Sequence, residues 1–125
     1  MELAKNPKLN PFSIYQQIAD KIYRMNLIKD HLDLSEFNSQ DMTPETCSKI
    51  ENTITQAILP KINRLLNRSL FDVYQVLYDI DVPEDYIKEK IMSVENTSMI
   101  PSLIAFAIID RLKIRYKNHQ LMELE

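Results

Sequence analysis

The chain contains no glycine in 125 residues. Glycine is the residue that enters left-handed backbone regions without a Cβ clash and lets another backbone or a ligand come close. Its absence disfavours every site built on it: the phosphate-cradling loop, the dinucleotide fingerprint, the G-x-S-x-G elbow and the glycine turn of an EF-hand. Tight two-residue hairpins also lose their usual residue, so a β-rich fold is disfavoured. Helices need no glycine, and an all-α domain is the expectation. At this length about two thirds of the unfolded surface can be buried, enough for one core without disulfides or a structural metal.

The apolar spacing supports this class. Asn10-Pro11 reads as a capping residue followed by proline in the first turn. Ile14, Ile18, Ile22, Met25 and Ile28 then form one amphipathic stripe, predicting a first helix that runs to about Leu32. Residues 33–42 are polar and predict a flexible linker, and residues 1–9 a loosely ordered arm. Thr43-Pro44-Glu45 is the strongest start signal. Cys47, Ile50, Ile54, Ile58, Ile62, Leu65 and Leu66 keep helical period straight through Pro60, predicting one long helix over 44–68, kinked near Gln56–Leu59. Ser69 caps a segment to about Ile80, and Asp81 caps a short helix to Met92. Asn96-Thr97-Ser98 introduces the last helix, expected to stop near Asn118.

In that last helix the run Leu103 to Ile109 is apolar throughout, which marks a helix buried on all sides. Ile104, Phe106, Ala107 and Ile108 are all expected inside. The expected architecture is a single five-helix, bundle-like domain over 1–125, with a long proline-kinked helix and a central apolar C-terminal helix. The helical core spans 43–119, and the first helix, 10–32, is joined to it by the linker.

Candidate chemistry is sparse. Asp79, Asp81, Glu84 and Asp85 lack the glycine and the closing glutamate of a calcium loop, and helix capping accounts for most of them. His31, with Asp30, Asp33 and Glu36, has no second histidine nearby, whereas catalytic zinc wants three protein ligands. Cys47 is the only cysteine and sits on an apolar stripe, where a thiol behaves as a small hydrophobe. No catalytic residue, metal or cofactor is expected. The two Asn-x-Ser patterns, at Asn67 and Asn96, read as capping sequences.

The charge balance is 15 basic to 18 acidic residues, a net −3, which weighs against a dedicated nucleic-acid module. Two basic segments stand out: Lys61, Arg64 and Arg68, and then Arg111, Lys113, Arg115 and Lys117 near the chain end. The stretch from Asp72 to Glu95 holds seven acids against Lys88 and Lys90, so these segments are expected to face one another or a partner. The first residues lack the basic and apolar parts of a secretory signal. The longest strongly apolar run, Met99–Ile109, is 11 residues, where a membrane span needs about 20. A cytoplasmic protein without membrane contact is the expectation.

Leu77-Tyr78-Asp79-Ile80-Asp81-Val82-Pro83-Glu84, together with Ile108-Ile109-Asp110-Arg111-Leu112-Lys113, resembles a group of small uncharacterised bacterial helical proteins. The resemblance covers about residues 70–117, with Asp79 where that group has a basic residue. It implies a bacterial cytoplasmic setting and brings no activity and no functional residue.

The functional expectation is therefore a non-enzymatic interaction protein, an adaptor or small subunit that binds another protein or a second copy of itself as a homodimer. Ile14, Ile18, Ile22 and Met25 on the first helix, with Arg111 and Arg115 on the last, are the candidate partner-binding residues. The alternative is a nucleic-acid-associated regulator using the basic end of the last helix. Against it, the second helix of the helix–turn–helix-like pair 70–80 and 83–92 opens with Glu84 and Asp85, where phosphates would have to approach.

Overall fold

Helices begin here where a short polar side chain can meet the free N–H groups of the first turn. In the computed structural model, which describes residues 9–123, Asn10 accepts from the backbone N–H of Ser13 at 3.2 Å, Thr43 from Thr46 at 3.1 Å and Ser69 from Asp72 at 3.2 Å. These caps open α1 (Pro11–Arg24), α2 (Pro44–Arg68) and α3 (Leu70–Asp79); α4 (Glu84–Met92) and α5 (Ile100–Glu123) follow. Short 3-10 turns lie at Ser35–Phe37 and Thr97–Met99, and there is no strand among the described residues. The chain is all-α. α2 runs as one element through Pro60, which is exposed.

The helix ends show how a chain without glycine stops a helix. α1 ends at Arg24, short of the expected Leu32. Asn26 takes a left-handed φ of 61°, its N–H donates to Tyr23 O at 3.0 Å, and Leu27 N–H donates to Ile22 O at 2.9 Å. α3 ends the same way: Asp81 has φ 63°, donates to Tyr78 O at 3.0 Å, and Val82 N–H donates to Leu77 O at 2.9 Å. Both are Schellman closures. Asn and Asp are the non-glycine residues that tolerate the left-handed region best, and the apolar residue after each, Leu27 or Val82, is buried. Asp81 therefore closes α3 and does not cap the next helix, contrary to expectation. The N-cap of α4 is Pro83, which offers no side-chain bond.

α1 lies against α2 and α5, and α2 against α5 and α3. Ile14, Ile18 and Ile22 of α1 meet Ile50, Ile54, Ile58 and Ile62 of α2 in a core where each is at most 1% exposed. Burying such a side chain is worth roughly 1.5–3 kcal/mol, so this layer holds the domain together. Residues 33–42 are not the loose tether expected from their polarity: Leu34 and Phe37 are buried in the same core. Leu9 is buried as well; the rest of the expected arm, 1–8, lies outside the described residues. α5 continues past Asn118 to Glu123. There the Gln120 amide donates to Asn10 O at 3.1 Å and accepts from Asn10 N–H at 2.9 Å, tying the end of α5 to the start of α1.

α5 is not buried on all sides. Ile104, Ala105, Ile108, Ile109, Leu112 and Tyr116 face inward. Phe106, expected inside, is 64% exposed, and Ala107 is half-buried. At 100° per residue the buried set occupies one side of the helix, and residue 106 falls well round from its centre. The helix is a hub on one face and a surface on the other.

Candidate functional site

Three features of this fold bear on function: a polar cluster inside the core, the basic end of α5, and an apolar groove between α4 and α5.

The cluster joins three helices. Lys113 of α5, buried among the apolar residues, places its ammonium 3.2 Å from both carboxylate oxygens of Glu51 on α2. Tyr15 of α1 donates its hydroxyl to the same carboxylate. Burial, and after it the hydrogen bond to Glu51, pushes the Tyr15 phenol far above its ordinary range. Cys47, one helical turn before Glu51, is buried beside this group. The ammonium and the hydroxyl both point at one carboxylate, and no buried side-chain nitrogen or oxygen among the described residues lacks a partner. A satisfied set of this kind pins helix register, because a slip of any of the three helices would strand a charge in the core.

The basic end of α5 is spoken for locally. Arg111 donates from Nε to Ile80 O at 3.2 Å, meeting a carbonyl at the C-terminal end of α3. Arg115 pairs with Asp81 at 3.2 Å across the same corner. Both guanidinium groups thus hold the α3–α4 turn against α5, and Arg115–Asp81 is an ion pair that joins the basic run to the acidic stretch. Lys113, second in the basic run, points inward at Glu51.

The groove is the open feature. It has a volume of about 500 Å³ and is walled by Tyr86, Ile87 and Val94 on the α4 side and by Met99, Leu103 and Phe106 on the other. Met99 is 54% exposed and Tyr86 49%. Its charged residues are Lys90, whose ammonium lies 5.5 Å from the centre of the Tyr86 ring, and Asp110. Beyond Asp110 the groove continues toward Pro83 and Ile114.

The sequence-derived candidates fall elsewhere. Ile14, Ile18 and Ile22 are consumed by the core of their own chain, and Met25, the C-cap of α1, packs half-buried against it. The stripe on α1 is thus spent in cis and offers no free partner-binding face. Arg111 and Arg115 are the corner contacts just described. His31, expected near a helix end, lies well past the end of α1 and stacks on Tyr23 with ring centroids 3.6 Å apart. Among the described residues no set of histidine, cysteine and carboxylate groups is arranged to hold a metal, and no helix is long and apolar enough to cross a membrane.

A run that is apolar throughout, such as Leu103 to Ile109, does not show which of its residues face a groove. A signal was present: Met99, Leu103 and Phe106 repeat at spacings of four and three, a second stripe beside the buried one. One α-helix with two apolar faces has one more than its own core needs. No family model matches the chain, and no curated protein or solved structure shows significant similarity to it.

Proposed function

We propose that this chain is a non-enzymatic interaction protein, an adaptor or small subunit, whose binding surface is the groove between α4 and α5. The observation that carries this reading is Phe106, a large aromatic side chain 64% exposed beside a groove already lined by apolar groups. Contiguous exposed apolar surface of this sort characterises protein contacts, and a groove between two helices suits an incoming helical face. Aromatic residues seated in such grooves dominate binding energy in helical interfaces. The reading shifts the contact from the α1 stripe, which the core uses, to the outer face of α5. The engagement of Arg111 and Arg115 with the α3–α4 corner argues against the alternative, a nucleic-acid regulator. The cytoplasm suits a chain whose single cysteine is a buried thiol.

The test is photo-crosslinking in the intact cell from a reactive residue placed at position 106, with the exposed Asn63 of α2 as the control position. A discrete heavier adduct from position 106 and none from position 63 is the expected result. No adduct from position 106 overturns the reading.

A further inference from the structure

The charges around the groove are arranged so that the face is its own complement, and we propose that its occupant is a second copy of this chain, seated by a two-fold axis at Phe106. This rests on the reading of the groove as the binding surface and names the partner.

Ser102 and Asp110 lie four residues to either side of Phe106 on α5, each displaced from it by about 6 Å along the helix. A two-fold axis through Phe106, perpendicular to α5, lays the two α5 helices antiparallel and exchanges these positions. Asp110 of each copy then arrives at the Ser102 end of the other. Chain connectivity sets Lys90 toward that end: α4 ends at Met92, shortly before α5 begins at Ile100, and Lys90 is absent from the lining beyond Asp110, where Pro83 at the start of α4 is found. The ammonium of each chain thus meets the carboxylate of the other, twice in one interface.

Both groups are open to this use, since among the described residues neither Lys90 nor Asp110 makes an ion pair, whereas Glu84, Asp72 and Asp81 on the same side of the molecule do. Between the two charge pairs the two Phe106 rings meet at the axis, flanked by Leu103, Met99 and Tyr86 of both copies. A self-complementary patch with one cation and one anion disposed about an aromatic centre has the layout of an isologous contact. The parallel arrangement would instead set Asp110 against Asp110.

The test is sedimentation velocity of the full chain from about 1 μM to several hundred μM, with circular dichroism melting as the folding control. The wild type is expected to dimerise. Phe106→Glu, at an exposed position, should keep its melting curve and lose the dimer by at least about a hundredfold in Kd. Lys90→Glu and Asp110→Lys singly each set two like-charge pairs in the interface and should weaken it about tenfold. The double variant Lys90→Glu/Asp110→Lys should recover the wild-type Kd. A chain that is monomeric throughout the range overturns the proposal, as does a dimer indifferent to Phe106→Glu or a double variant no better than the singles. A purified monomer that still yields a heavier adduct from position 106 in the cell overturns the second copy as occupant while leaving the groove as the binding surface.

Discussion

The layer formed by α1, α2 and the inner face of α5 differs sharply from the edge formed by α3, α4 and the outer face of α5. In the first, seven isoleucines from α1 and α2 are essentially without solvent exposure. In the second, α4 contributes a single fully buried side chain, Ile87, while Phe71, Tyr78, Tyr86, Met92, Met99 and Phe106 stand in solvent. Both regions are rich in apolar residues, so apolar content does not separate them. The separation comes from how many helices share each residue. α5 has α1 and α2 across its inner face, whereas the short α4 and the turn before α5 make a smaller contact with it, beside the α3–α4 corner held by Arg111 and Arg115. Stability is concentrated in the first region, and the second leaves large apolar side chains exposed.

If that division is right, the largest effect belongs to the inner layer. Ile58→Ala should cost about 2–5 kcal/mol through lost burial and the cavity left behind, read by chemical denaturation. A loss below about 1 kcal/mol would erase the contrast. Next comes the buried pair. Lys113→Met leaves Glu51 without its cation and should cost about 2–4 kcal/mol, and adding Glu51→Gln, which removes the orphaned charge, should restore much of it. Failure of the double variant to recover would mean that the lysine matters for its packing alone.

The pH response should belong to the inner layer too. The folded state keeps the Tyr15 proton that an unfolded chain releases near pH 10. The unfolded state then binds fewer protons, so stability is intact below about pH 10 and falls above it by about 1.4 kcal/mol per pH unit from this one group. Tyr15→Phe should flatten that alkaline slope, measured as denaturation midpoint against pH. The smallest effect is expected at the edge: Phe106→Ala should change the stability of the monomer by less than about 0.5 kcal/mol. A loss of several kcal/mol would place Phe106 in the core and remove the comparison altogether.

The legible parts of this fold are those decided within a few residues. Asn10, Thr43 and Ser69 announce helix starts because an N-cap needs only one side chain and the N–H groups beyond it. The ends were harder. Asn26 and Asp81 close their helices in a left-handed conformation that glycine ordinarily marks, and in a glycine-free chain the marker is an ordinary polar residue with many other uses. The apolar spacing therefore predicts a first helix to Leu32, because Leu27 and Ile28 continue the apolar character after the helix has stopped at Arg24. Leu34 and Phe37 give no signal of burial within their polar stretch, because two apolar residues make no period.

What the amino-acid sequence determined by itself is the helical class, the span of α2, the capped starts and the isoleucine stripes, all set by local sterics and by 3.6-residue periodicity. Tertiary structure alone decided which side of α5 is inside. A run with apolar residues on every side has no preferred face until neighbours arrive, and α1 and α2 arrive on the side of Ile104 and Ile108. It also decided that Lys113 turns inward, because its partner Glu51 is 62 positions away and only the packing of α2 on α5 brings the two charges together. The exposure of Phe106 has the same origin: the edge left open beside a filled core is a property of how the helices assemble, and no single helix carries it.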